Sequence, residues 1–202
     1  FLQNQTTNQT IAKNTFWLFF GQLTSRLMRA VIVIYGARVL GAASWGAFSY
    51  ALGIAAFLTI FSDIGINALI TKEASRNPQL KDQYLSTAFF TKIAILAVLI
   101  GGTVIFFPYL TNIAEAVFIM PILIFVFAFD TLRDLGSAIS RALEKMQIEA
   151  GVQIFTNLAI LILGFMFLAV SRTSQALAFA YAAGSGLGAG VGVDTAQEEL
   201  HL

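Results

Sequence analysis

Arg26 and Arg29 interrupt an apolar stretch, with Phe16-Trp17-Leu18-Phe19-Phe20 before them and Ala30-Val-Ile-Val-Ile-Tyr35 after. Thr15, Gln22, Arg26 and Arg29 follow i, i+7, i+11, i+14 spacing and so share one stripe of a helix. Thr59, Asp63 and Asn67 repeat the pattern at i, i+4, i+8, and Gln153 and Asn157 stand one turn apart. Asp130, Arg133, Asp134, Ser137 and Arg141 close another apolar run, with Pro121, an expected kink, nearer its start. A guanidinium presents a planar fork matched to phosphate oxygens, so a stripe led by arginine suits an anionic head group. A carboxylate near an arginine serves as a static counter-ion or as a proton site. Gln22, Arg26, Arg29, Asp63 and Asn67 are therefore the candidate cavity residues, with Asp63 also a candidate for coupling.

Much chemistry is excluded. There is no cysteine, and the single histidine, His201, stands beside the last residue. Disulfides, thiolate metal sites, a cysteine nucleophile and His-dependent triads are all absent. No glycine run makes a nucleotide-binding loop, so neither a cofactor nor ATP-driven work is expected. A net charge of +1 gives no argument for nucleic acid.

Hydrophobic residues make up 57% of the 202 and charged residues 11%, against about 25% charged in soluble domains. The bilayer is the expected solvent. Apolar runs over 14–36, 47–70, 84–107, 113–132 and 152–170 each supply about the 20 residues that a helix needs to cross a hydrocarbon core of roughly 30 Å. Runs of that length without alternation read as helices. The fold class is thus an all-α, polytopic membrane bundle of five to six helices. Residues 1–13 read as a polar tail and 14–170 as the helical lobe. Residues 171–202 read as a weak, glycine-rich sixth span with an acidic end, either a small-xxx-small packing face or a disordered terminus.

Charges inside spans are costly. Arg26 lies roughly 15 Å of helix from either end of its run. A central arginine costs about 2.5–3.5 kcal/mol, while some ten strongly apolar residues at roughly −0.5 each return about 5. With two arginines the sum is near zero, so the polar stripe must face other helices or water. Arg26 and Asp63 form either a buried structural ion pair or part of a cationic cavity. The Asp130–Arg141 cluster reads alternatively as the wetted end of a long helix, and Lys92 as a snorkelling lysine.

Lys13, Lys72, Arg76, Lys81, Arg141 and Lys145 fall on one side of the spans, and Arg38 and Arg172 on the other. Six against two places the N-terminus in the cytoplasm. The sequons Asn4-Gln5-Thr6 and Asn8-Gln9-Thr10 would need the reverse orientation, and the charge bias outweighs them. A chain that opens on Phe1 reads as a fragment or a processed product, without a secretory leader.

Ala37-Arg38-Val-Leu-Gly41-Ala-Ala-Ser-Trp45-Gly46-Ala-Phe-Ser49-Tyr50-Ala51, followed by Phe61-Ser-Asp63-Ile-Gly65-Ile-Asn67-Ala-Leu-Ile-Thr-Lys72-Glu73, resembles the first two helices of bacterial polysaccharide flippases of the O-antigen and teichuronic-acid type. Their superfamily also holds multidrug extruders and lipid II flippases. Leu143-Glu-Lys-Met-Gln-Ile-Glu-Ala150 resembles the same family, and the likeness covers about residues 11 to 170. It implies the N-terminal one of two pseudo-symmetric lobes, completed by a C-terminal lobe. It also implies a cargo of undecaprenyl-diphosphate-linked oligosaccharide, moved across the cytoplasmic membrane by alternating access. Further implied partners are membrane lipids and the polymerase and glycosyltransferases of the same pathway. Ser25-Arg26 is similar to the lipid II branch, where the first arginine lines the cavity; a further arginine of that branch falls on Ile32 here, so its role does not pass to Arg29. Two alternatives stand beside this reading. A multidrug extruder would prefer an anionic cavity, which the arginine stripe opposes. A membrane glycosyltransferase or acyltransferase would need Asp130 or Asp134 as its catalytic carboxylate.

Overall fold

The structure, a computed structural model, describes residues 7–63, 65–76, 81–142 and 144–200. Asn4-Gln5-Thr6, Leu143 and His201 lie outside them. The described residues form six helices: α1 Thr7–Asp63, α2 Ile66–Arg76, α3 Lys81–Leu110, α4 Ala114–Ala142, α5 Met146–Val170 and α6 Ser174–Leu200. Five of these (all but α2) are long and apolar enough to cross a bilayer.

Helix α1 has 57 residues, about 85 Å if straight and more than twice a hydrocarbon core. It is not straight. Gly41 has φ 74° and ψ 173°, a backbone region open essentially to glycine alone. There the chain folds back. A Cβ at Gly36 would stand 3.1 Å from the Trp45 ring, and Arg29 and Thr59, thirty residues apart, line one cavity. Helix α1 is therefore two antiparallel arms joined at Gly41, and the bundle has six limbs of spanning length. The protein is a polytopic membrane helix bundle.

The second arm ends sooner than its apolar run. That run continues to residue 70, but the helix stops at Asp63, and Gly65 turns the chain at φ 80° into the short helix α2. The expected stripe Thr59–Asp63–Asn67 is thus divided between two helices. The Asn67 N–H donates to Asp63 Oδ1 at 3.1 Å, so the carboxylate supports the first turn of α2. Helix α4 runs ten residues past the expected span and continues unbroken through Pro121.

Small residues set the register of the limbs. On the first arm Asn14, Gly21, Ser25, Ile32 and Gly36 are buried at alternating seven- and four-residue steps. Gly21 meets Ala150, and the Ile32 side chain lies over Gly164, so this arm runs parallel to α5. The stretch whose standing the sequence left open forms α6, packed between α4 and α5. A Cβ at Gly184 would come within 2.8 Å of the Ile160 backbone nitrogen, and one at Gly188 would overlap Thr156. The glycines that weaken α6 as an isolated helix let two backbones approach closely. Phe48, Ile119, Leu123, Phe127, Leu177 and Tyr181 fill the centre. Phe16, Phe90, Val98 and Phe106 lie exposed on the outside, as an apolar solvent demands.

Candidate substrate-facing site

The two arms of α1 diverge enough to leave a cavity of about 330 Å³, floored by α4, α5 and α6. Arg29 and Val33 contribute from the first arm. Trp45, Ser49, Gly53 and Thr59 contribute from the second, Phe127 and Asp130 from α4, Ile160 from α5, and Tyr181 and Ser185 from α6. Small residues on the second arm keep the cavity open, since a Cβ at Gly53 would meet nothing within 4 Å.

Of the residues singled out by spacing, Arg29 lines the cavity together with Tyr181. Arg26 and Gln22 lie exposed on the same arm. Neither Arg26 nor Arg29 has an ion-pair partner among the described residues. An unpaired guanidinium this far into an apolar helix is tolerated against water or another protein surface and disfavoured against lipid.

Asp63 and Asn67 are elsewhere. Opposite arms place Gly36 level with Trp45, so Asp63 stands level with residue 18, about 12 Å of helix from Arg26. The expected Arg26–Asp63 pair does not form. Asp63 instead lies 3.8 Å from the Lys92 ammonium. Lys92 does not snorkel: it is 1% exposed, on the one stripe of α3 (Ala88, Lys92, Leu96) that turns inward. Spacing along α3 alone could not reveal this, because the inward stripe is set by the neighbours of the helix.

The charged residues of the α4 cluster divide into two groups. Arg133 is 2.8 Å from Asp130 and 3.5 Å from Asp134, while Arg141 crosses to Glu149 of α5. Ser62 of the second arm shares a buried hydrogen bond with Thr131 at 3.2 Å. Arg141 and Thr131 tie α4 to other limbs, while Asp130, Arg133 and Asp134 pair within α4. Asp130 also lines the cavity, with its Oδ1 held by Arg133.

Sequence reasoning missed Tyr181 and Ser185. Their i, i+4 spacing put both on one face of a helix. The signal lay in a stretch whose glycines drew all the attention. Among the described residues no group of three histidine, cysteine or acidic side chains gathers as a metal site.

The family model described as "Polysaccharide biosynthesis protein" matches residues 11–193. The chain belongs to that family. The match includes α6 up to Val193, beyond the residues 11 to 170 that the sequence likeness covers. A search of curated proteins and one of solved structures return no match. Membership of this transporter-type family gives the protein a role in polysaccharide biosynthesis and export, carried out by a membrane-embedded helix bundle.

Proposed function

We propose that this bundle is the N-terminal lobe of a flippase that moves a diphosphate-linked oligosaccharide across the bacterial cytoplasmic membrane by alternating access. The lipid is undecaprenyl diphosphate, and the N-terminus lies in the cytoplasm. The supporting observation is the pair Arg26 and Arg29: one exposed, one at a cavity mouth, neither ion-paired among the described residues. Two guanidinium groups on an exposed face of an apolar helix, without an ion-pair partner among the described residues, give a diphosphate a place to gain charge-assisted hydrogen bonds. Facing lipid they would be disfavoured by about 2.5–3.5 kcal/mol each, so this face fits against a second lobe and the water between. Gln22, one turn from Arg26, adds a neutral donor and acceptor. No step here calls for a catalytic residue or a cofactor, because the cargo changes sides without changing its bonds.

Arg26→Lys and Arg26→Ala in the full-length protein test the reading through glycan export in cells that depend on it. Lysine keeps the charge, loses the planar fork and reduces export; alanine abolishes it while membrane levels stay normal. Normal export by Arg26→Ala overturns the role given to Arg26.

A further inference from the structure

The cavity holds more polar chemistry than a diphosphate uses. Tyr181 is 4% exposed and Ser185 1% exposed; both line the cavity, and neither makes a hydrogen bond among the described residues. Asp130 adds a carboxylate to the same lining, its Oδ1 already 2.8 Å from the Arg133 guanidinium. Two hydroxyls without a partner among the described residues and one carboxylate open on a single space, and an occupant that forms hydrogen bonds suits them better than an apolar one.

The mixture narrows its class. A phosphate inside the cavity would meet the Asp130 carboxylate, and an organic cation would meet Arg29. A neutral polyol meets neither objection. Each sugar hydroxyl donates and accepts, so it can give to Asp130, receive from Arg29, and do either with Tyr181 and Ser185. The Trp45 ring and the apolar floor of Phe127 and Ile160 suit the C–H face of a pyranose. A volume of about 330 Å³ is at the small end of ligand pockets, room for one ring and not a chain.

We propose that this cavity is a pyranose subsite, which seats the sugar adjoining the diphosphate while Arg29 at its mouth reaches the phosphate. The proposal rests on the flippase reading for its cargo and adds a determinant of which glycan is accepted.

Binding of radiolabelled glucosyl, galactosyl and N-acetylglucosaminyl phosphates, each against inorganic phosphate, to the full-length protein in nanodiscs tests it. At least one glycosyl phosphate should bind about tenfold tighter than inorganic phosphate, the scale of one or two hydrogen bonds. Tyr181→Phe removes one oxygen and keeps the ring packed on Phe48 at 5.4 Å. Gly53→Leu fills the cavity from a position with free space. Both should erase the advantage of the sugar and leave binding of inorganic phosphate unchanged. An equal affinity for all four probes, or an advantage that survives both variants, overturns the subsite. Flipping of lipid-linked glycan is scored on the same preparations. Flipping without a sugar advantage removes the subsite and keeps the flippase; a sugar advantage without flipping removes the flippase and keeps the sugar site.

Discussion

Lys92 of α3 and Asp63 at the end of α1 face each other at 3.8 Å, and the two sides of this ion pair are unequally buried. The lysine is 1% exposed and the aspartate side chain 42%. Asp63 also receives the Asn67 N–H, so one carboxylate joins α1, α2 and α3. Outside this junction α3 packs sparsely on the bundle.

Unequal burial makes the two deletions unequal. Asp63→Ala strands a buried ammonium and should destabilise the protein by about 3 kcal/mol, the lower end for a broken buried pair. Lys92→Met leaves a carboxylate that water reaches and should cost less than half as much. Thermal unfolding in one detergent ranks them, and equal losses would contradict the asymmetry. The same residue settles coupling. With Asp63 held by Lys92 and α2, Asp63→Asn should keep whatever dependence on the proton gradient the full-length transporter has; loss of that dependence would make Asp63 the coupling carboxylate.

The hairpin of α1 depends on Gly41. A side chain at φ 74°, ψ 173° costs about 1–3 kcal/mol. Gly41→Ala should lower thermal stability by that amount. Gly46→Ala, on a helical residue with nothing within 4 Å, should be neutral or stabilising. If both behave alike, the turn does not depend on the glycine.

Glycines in α6 divide by what they face. Gly184→Ala presses a methyl group onto the Ile160 backbone and should cost about 1–3 kcal/mol through separation of α5 and α6. Gly190→Ala meets nothing within 4 Å and should gain up to about 1 kcal/mol from helix propensity. The difference between them, read by unfolding in detergent, measures the packing of α6 apart from its propensity.

Absence of cysteine permits a clean map of sidedness. Single cysteines at Ala42 and Thr111 should react with an impermeant reagent from outside the cell. Those at Met146 and Asp194 should react only after the cytoplasm is opened. Asn77 belongs with the second group, though it lies outside the described residues. External labelling at Met146 would reverse the orientation, and at Asp194 alone would remove α6 as a crossing.

Composition and run length were enough to establish a helical membrane bundle, because a bilayer admits few ways to satisfy a backbone and each leaves a long apolar run. The arginine stripe was equally legible, since charge within such a run is conspicuous wherever the helix goes. Partners were not legible. Arg26 and Asp63 read as a pair because period alone ignores the offset created by the hairpin at Gly41, and Asp63 and Asn67 read as one stripe because it ignores the turn at Gly65. Lys92 read as a surface lysine because the same α3 sequence could present either face inward. Tyr181 and Ser185 acquired meaning only when α6 packed against α4 and α5 by way of its glycines. A helix states its own faces through local spacing; which face meets which neighbour is decided by contacts between residues far apart in the chain, and those belong to the tertiary structure.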